Sequence, residues 1–319
     1  MTRARGILRA TTHALAACAC IAATAAASQI GQSAAPAAPP LLIDVVAVDR
    51  DGRPVTDLRP GELEIWINRY RVPISTLSVV APSPDATTGR VVGLLLDDLT
   101  LAPAIVPRAR DAARRFVEQM RPGDRVAIVT LSGSEVRATS DRARLLQGLA
   151  SYSPRTAGVL RADLLSAQIL ETITSLAHQL AEASDRKKTI VAIGAAWLFD
   201  TPIPPPTVAH DLRREWTAAM RATALAHASV YVIDPSGVGM SRTAGGSSGF
   251  AGETGGYAFT NTNDLTGAVD RILGEADSYY VVEIPDPPVG RSADLRELDV
   301  RVLRHGVSIQ ARRTLPGVR

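Results

Sequence analysis

The strongest constraint on this chain is an alternation of buried strands with amphipathic helices between residues 91 and 276. Four continuous apolar runs have the composition of strands that are covered on both faces. They are VVGLLL at 91–96, RVAIVTLS at 125–132, TIVAIGAAW at 189–197 and SVYVID at 229–234. Apolar residues at helical spacing, such as Leu165, Ile169 and Ile173, lie between these runs. The alternation predicts an α/β fold with a doubly wound, mostly parallel, Rossmann-like sheet.

The flanking segments show a different pattern, in which apolar and polar residues alternate with the period of two that half-buried strands require. Residues 41–82 include ELEIWIN, and residues 277–315 include YYVVEI and a turn at His305–Gly306. Each segment is too small to form a stable sheet alone. We therefore expect the two segments to pack together as a small antiparallel β-sandwich, interrupted in sequence by the α/β domain at 88–276.

The amino terminus has the composition of an export signal. Three arginines within the first nine residues precede a short apolar run at 14–27. The run ends in three alanines, which resemble a signal-peptidase cleavage site, and it is too short to span a bilayer. We predict a signal peptide at 1–27, a disordered spacer at 28–40, no transmembrane helix, and a secreted or periplasmic product.

The alternative for the amino terminus is a lipoprotein, because LAAC at 15–18 resembles a lipobox that would anchor the chain at Cys18. The chain has two cysteines, Cys18 and Cys20, so a product cleaved after Ala27 has none and forms no disulfide. Removal of the three leader arginines leaves 32 basic and 32 acidic residues. A chain near neutrality has no global field to attract nucleic acid, so we expect no nucleic-acid partner.

Six sequence landmarks follow one another along the chain after residue 40. They are DRDGRPVTDLRPGELEIW, VVGLLLDDLT, RPGDRVAIVTLSG, VYVIDPSGVG, ETGGYAF and DSYYVVEIP. In order and spacing they resemble the bacterial family of von Willebrand factor A-related exported proteins of the acidobacterial type. The resemblance implies a von Willebrand factor A-type α/β domain with a ligand site in the crevice beyond the carboxyl ends of its strands.

The metal site of that family begins with an Asp-x-Ser-x-Ser motif, which the resemblance places at residues 97–101. Asp97 matches the aspartate, but both serines are replaced by leucines, which supply no oxygen to a hard cation. The threonine ligand corresponds to Thr156. Where the family has a second carboxylate after its fourth strand, this chain has a glycine followed by Ala195 and Ala196.

We therefore predict a degenerate metal-ion-dependent adhesion site that holds no metal and no other cofactor. Its crevice is expected to persist as a surface that binds a protein partner through Asp97, Asp98, Thr100 and Thr156. The surrounding loops, expected to contribute to recognition, lie at 97–103, 153–158, 195–206 and 235–249. The alternative is adhesion that depends on Mg²⁺ or Mn²⁺ held by Asp97 and Thr156.

One motif suggests an enzyme. GGSSG at 245–249 fits the G-x-S-x-G pattern of serine hydrolases, with Ser247 as the nucleophile. That chemistry needs a strand, a sharp turn and a helix around the serine, whereas this motif lies in a loop rich in glycine and serine. We expect no catalytic residues and no enzymatic activity, and a serine hydrolase remains the remote alternative.

Overall fold

Three β-sheets form the framework of this protein. The computed structural model describes residues 40–82, 89–155, 162–182, 187–194, 210–240, 249–285 and 295–317. The strands are β1 (Leu41–Val48), β2 (Leu63–Ile67), β3 (Tyr70–Val72), β4 (Thr76–Val80), β5 (Val91–Leu96), β6 (Arg125–Thr130), β7 (Glu135–Thr139), β8 (Lys188–Ile193), β9 (Ala228–Ile233), β10 (Ala258–Phe259), β11 (Tyr279–Ile284), β12 (Leu295–Val302), β13 (Ser308–Ala311) and β14 (Thr314–Pro316). The helices are α1 (Val106–Glu118), α2 (Arg142–Ser151), α3 (Ala162–Ala181), α4 (His210–Leu225), α5 (Gly249–Glu253) and α6 (Leu265–Asp277), and a 3-10 turn spans Pro60–Glu62.

The central sheet has the strand order β10-β9-β8-β5-β6-β7. The first five of these strands form parallel pairs, whereas β7 pairs with β6 in the antiparallel direction. Only residues 131–134 separate β6 from β7. A parallel pair needs a crossover of roughly a dozen residues, so a connection this short can only return the chain antiparallel.

The predicted fold class, a doubly wound and mostly parallel Rossmann-like sheet with a small sandwich attached, is wrong. The fold has mixed α/β content in three sheets, of which two are antiparallel and one is mixed with a parallel core. The antiparallel sheets have four strands each, so they are a substantial part of the framework. The apolar runs were misleading because they identify buried strands without fixing the direction or the partners of each strand.

The two antiparallel sheets have the orders β13-β1-β11-β4 and β14-β12-β2-β3. Both combine strands that precede the central sheet with strands that follow it. β1 pairs with β11, for example, with Leu41 opposite Ile284. Side chains from both sheets, among them Ile43, Ile67 and Val282, are fully buried in one shared core. The flanks of the chain therefore bury their apolar faces against each other.

Helices cover both faces of the central sheet, because its strands are apolar on both sides. α3 and α4 pack on one face, with Leu176 in their core. α1, α2 and α6 pack on the other face, with Phe116 in theirs. The packing on β5 is close, since a Cβ atom at Gly93 would lie 2.9 Å from Cδ1 of Leu180 in α3. Glycine at this position lets the helix approach the strand.

The carboxyl ends of β5, β8 and β9 lie side by side. Leu96 pairs with Ile193, and Ile193 pairs with Ile233, so the chain leaves all three strands at the same level. α1 follows β5 on one face of the sheet and α4 follows β8 on the other, an arrangement that places ligand-binding crevices at this end of a sheet. We call residues 97–103, 131–134, 194 and 234–240 the carboxyl edge. In the part of the chain that the structure describes, no helix is both long and apolar enough to cross a membrane.

Candidate functional site

Asp97 follows β5 directly, and its side chain is fully buried. Its Oδ1 accepts hydrogen bonds from the backbone N–H groups of Leu99 at 3.1 Å and Thr100 at 2.8 Å. Its Oδ2 accepts a third hydrogen bond, of 2.5 Å, from the Thr100 hydroxyl. A sharp turn after a buried strand leaves N–H groups without ladder partners, and the Asp97 carboxylate supplies the acceptors that they need. Asp97 therefore holds the loop after β5 in one conformation.

Asp98 connects β5 to the loop after β6. Its Oδ1 accepts a hydrogen bond from the backbone N–H of Ser132 at 3.0 Å, and its Oδ2 accepts one from the Ser132 hydroxyl at 2.5 Å. Nε of Arg155 lies 3.6 Å from Oδ2. The Asp98 side chain is 3% exposed and that of Arg155 is 60% exposed. The guanidinium therefore reaches the buried carboxylate from the solvent side and offsets its charge.

Tyr152, which follows α2, joins this cluster through its hydroxyl. The hydroxyl donates a 2.7 Å hydrogen bond to the backbone carbonyl of Asp97. Burial raises the pKa of the Tyr152 phenol, and the negative charges of Asp97 and Asp98 raise it further. The phenol therefore stays protonated at neutral pH and acts here as a hydrogen-bond donor.

A small cavity adjoins the cluster. It has a volume of about 100 Å³, and its lining includes Asp98, Ser134, Tyr152 and Arg155. Pockets that hold small organic ligands usually enclose roughly 300–1,000 Å³. The cavity is too small for such a ligand, and the polar groups around it are engaged in holding loops together.

The loop after β9 leaves the same edge of the sheet and carries two exposed apolar side chains. Val238 is 61% exposed and Met240 is 70% exposed. The glycines on either side of Val238, Gly237 and Gly239, have positive φ angles of 93° and 77°. Glycine adopts these angles without steric cost, so the loop can turn sharply and present both side chains to solvent.

Polar side chains restrain this loop. Arg108 donates from Nη1 to a backbone carbonyl of the loop at 3.4 Å and from Nη2 to Oδ1 of Asn263 at 3.3 Å. Oδ1 of Asn261 accepts a hydrogen bond from the backbone N–H of Gly239 at 2.7 Å. A Cβ atom at Gly237 would lie 2.6 Å from Oδ1 of Asn263 and 2.8 Å from Nη1 of Arg108. The loop therefore presents its apolar side chains from a restrained backbone, which lowers the entropy cost of binding.

The structure brings together three of the four predicted binding residues. Asp97 and Thr100 are hydrogen-bonded to each other, and Asp98 is bonded to the loop after β6. Thr156, the fourth predicted binding residue and a metal ligand only in the alternative of cation-dependent adhesion, lies outside the described residues, as does Ser247. The predicted signal peptide and the anchor cysteine also lie outside them, as do the whole of the loop at 195–206 and parts of two other predicted recognition loops.

Among the residues that the structure describes, the oxygens at this edge do not fit a divalent cation. Mg²⁺ requires near-ideal octahedral coordination by oxygen. Asp97 already accepts three hydrogen bonds, and Leu99 and Leu101 contribute no side-chain oxygen. Across the described ranges, no three His, Cys, Asp or Glu side chains are grouped in a way that could hold a metal ion.

Comparisons with known proteins define no family. No family model matches the sequence, and no curated protein matches it. Among solved structures, the chain is similar to the pilus adhesin SpaC from Lactobacillus rhamnosus GG in its open conformation, with a TM-score of 0.34 and 11% sequence identity. The match covers 56% of this chain and 29% of the adhesin chain, so it spans less than a third of that adhesin. A likeness of this size defines neither family nor function.

Sequence reasoning missed the residues that hold the two aspartates. Ser132 lies two residues after β6, the strand next to β5, and a polar residue at that position is a signal that could have been used. Tyr152 and Arg155 had no local signal, because α2 and the chain after it bring them back to the edge. Val238 and Met240 were inside a predicted recognition loop, but their exposure follows from the two glycine turns.

Proposed function

We propose that this chain is an exported, non-enzymatic protein-binding module, related to the von Willebrand factor A-related proteins, which binds its partner through the carboxyl edge. Recognition would depend on direct contact and not on a bound metal ion. Val238 and Met240 would supply the apolar centre of that contact, and the loop held by Asp97 would lie at its border. The pair of exposed apolar side chains on a restrained loop is the observation that carries the proposal.

The polar cluster supports a binding role better than a catalytic one. A nucleophile or general base needs a lone pair that is free to reach a substrate. Asp97 and Asp98 instead accept hydrogen bonds from the loops around them, and the phenol of Tyr152 is kept protonated by burial. These groups maintain the shape of the edge, as the framework of a binding surface must.

The test begins with the identification of a partner by cross-linking and pull-down from the native envelope. The affinity of that purified partner is then measured for the wild-type chain and for a variant that combines Val238→Asp with Met240→Asp. We expect the double variant to bind at least about tenfold more weakly, since it places two charges in an apolar contact.

A matched control combines Leu225→Asp with Leu303→Asp. These leucines are 65% and 55% exposed; Leu225 is the last residue of α4 and Leu303 follows β12, both outside the carboxyl edge. This control should bind as the wild type does. Binding through the carboxyl edge would be contradicted if both double variants lost affinity equally. It would also be contradicted if neither variant lost affinity.

A thermal melt distinguishes this proposal from metal-dependent adhesion. We expect the midpoint to be the same with and without excess Mg²⁺ or Mn²⁺. A rise of several degrees that disappears in Asp97→Ala would favour a cation site over direct contact. Labelling by a fluorophosphonate probe that is lost in Ser247→Ala would show a serine hydrolase and would overturn the non-enzymatic role.

A further inference from the structure

Within the described residues, the two antiparallel sheets have four edge strands, and three of these are protected. At β13, Nε2 of Gln310 donates to the carbonyl of Gly255 at 3.2 Å, and the N–H of Arg313 just beyond the strand donates to the carbonyl of Glu253 at 3.0 Å. β14 packs against α4. β3 is three residues long and carries the charge of Arg71. Covering elements, short strands and charges are the usual means by which proteins prevent edge strands from pairing with other chains.

The fourth edge strand, β4, has none of these protections among the residues that the structure describes. It pairs with β11 on one side, and no described strand pairs with its other side. The sequence contains no charged residue from 74 to 82. Every residue of β4 is exposed or half-buried. An open, uncharged edge of this kind is a template for a further strand.

The core shared by the two antiparallel sheets is partly exposed to solvent at β4. Leu77 packs against the shared core. Side chains two residues apart lie on the same face of a strand, so Val79 lies on the core side as well. Val79 is nevertheless 48% exposed, because β4 is the last strand of its sheet. A strand added beside β4 with an apolar side chain opposite Val79 would extend the core over it.

We propose that β4 is a self-association edge, at which two copies of this chain pair their β4 strands antiparallel about a two-fold axis at Ser78. In that register Ser78 faces its own copy, Leu77 faces Val79, and Thr76 faces Val80. These pairs join small or β-forming side chains, and no two like charges meet. The Leu77–Val79 pair occurs twice, once on each side of the axis. In each pair Leu77 of one copy packs against the exposed Val79 of the other.

The expected dimer is weak. One pair of short strands buries less than the roughly 800 Å² per partner that stable complexes bury. Association should therefore depend on protein concentration. β4 is not part of the carboxyl edge, so failure of this proposal would leave the binding proposal intact, and the reverse also holds.

Sedimentation of the full chain over a concentration series is the first test. The weight-average mass of the wild type should rise with concentration, and that of Val79→Lys should stay at the monomer value, because the lysine places a charge on the edge. Tyr70→Lys is the matched control, since Tyr70 is 73% exposed on edge strand β3. It should associate as the wild type does. A wild type that stays monomeric throughout, or a Val79→Lys variant that associates normally, would overturn the proposal.

Disulfide trapping tests the register. Ser78→Cys and Ser75→Cys are compared in a full chain in which Cys18 and Cys20 are replaced by serine. Both serines are exposed. The two Ser78 positions face each other across the axis, whereas the two Ser75 positions are about 20 Å apart along the strands. Under mild oxidation Ser78→Cys should form the covalent dimer several-fold faster than Ser75→Cys. Equal rates for the two variants would count against the pairing.

Discussion

Two buried carboxylates at opposite ends of the central sheet, Asp124 and Asp97, are held in different ways. At the amino end, Asp124 accepts hydrogen bonds from the backbone N–H, Nε and Nη2 of Arg90 at 2.7, 3.0 and 2.6 Å. At the carboxyl end, Asp97 accepts from backbone N–H groups and a hydroxyl. A buried guanidinium both bonds and neutralises a carboxylate, whereas neutral donors only replace its hydration. The comparison shows that one end is built as an ion-paired clamp and the other as a support for loops.

The clamp at the amino end extends to α6. Asp277, its last residue, pairs with Arg121, and Nε of Arg90 lies 3.7 Å from its Oδ1. Burial raises the pKa of Asp277, and the two arginines oppose that rise. Charged groups from the start of β5, from the turn before β6 and from α6 thus meet in one place. This network fixes the ends of elements that are distant in sequence.

The largest effect is expected where the clamp is broken. Asp124→Ala leaves the buried guanidinium of Arg90 without its main counter-ion and should lower the free energy of unfolding by about 3–5 kcal/mol. Urea denaturation measures the loss. Asp270→Ala is the matched control, because it breaks an exposed pair with Arg115 and should change stability little. Similar losses in the two variants would remove the distinction between a buried clamp and a surface pair.

A smaller loss is expected at the carboxyl end. Asp97→Ala leaves the N–H groups of Leu99 and Thr100 without their acceptor and should cost about 2 kcal/mol in the free energy of unfolding. Asp97→Asn should cost less, because an amide oxygen can still accept from neutral donors. Urea denaturation of both variants measures the difference. If Asp97→Asn lowers the free energy of unfolding as much as Asp97→Ala does, the negative charge of Asp97 is itself needed. The contrast between Asp97 and the ion-paired Asp124 would then be wrong.

The apolar loop of the carboxyl edge offers a third test. Gly237→Ala puts a side chain at a φ of 93° and against Arg108 and Asn263, and should cost about 1–2 kcal/mol. The amides of residues 236–240 should then exchange hydrogen faster, because the loop loses its restraints. Gly52→Ala is the control, since Gly52 has a φ of 77° with no atom within 4 Å of an added Cβ. Unchanged exchange in Gly237→Ala would show that the contacts do not restrain the loop.

The smallest effect is expected at Tyr152, and it depends on pH. Tyr152→Phe removes the hydrogen bond to the Asp97 carbonyl and should cost about 1 kcal/mol near neutral pH. The folded state raises the pKa of this phenol, so the unfolded chain ionises first as the pH passes about 10. The wild type therefore loses stability there relative to the variant. The free energy of unfolding of the two proteins is measured in urea at about pH 8 and about pH 11, and the difference between them should be smaller at the higher pH. A difference that is the same at both pH values would argue against a buried phenol.

Strand positions were predictable where the sequence pattern was strong. VVGLLL is the fully buried strand β5, and SVYVID contains all but the first residue of the fully buried strand β9. α2 was missed, because Arg142–Ser151 buries only two leucines, and its amino-terminal cap at Asp141 is a single bond. The antiparallel direction of β7 was missed as well. The pattern of apolar residues indicates whether a strand is buried. The direction in which the strand runs depends on the length of the connection to its neighbour.

The candidate site was predictable in part. Asp97, Asp98 and Thr100 stand directly after an apolar strand, so their place at a sheet edge followed from the sequence. Their partners did not follow, because Ser132 comes from the loop after β6 and Tyr152 from the residue after α2. Hydrogen bonds between residues more than thirty positions apart depend on which strands become neighbours. The local pattern of apolar and polar residues does not indicate which strands become neighbours.

The amino-acid sequence alone determined which segments are buried, because hydrophobic periodicity acts over a few residues and needs no tertiary context. It also placed leucines at 99 and 101, directly after the buried strand that ends at Leu96. Only the tertiary structure decided that β1 pairs with β11 and that β4 is the last strand of its sheet within the described residues. Those outcomes arise from pairing between distant strands, in which each choice of neighbour fixes which edges stay open to solvent.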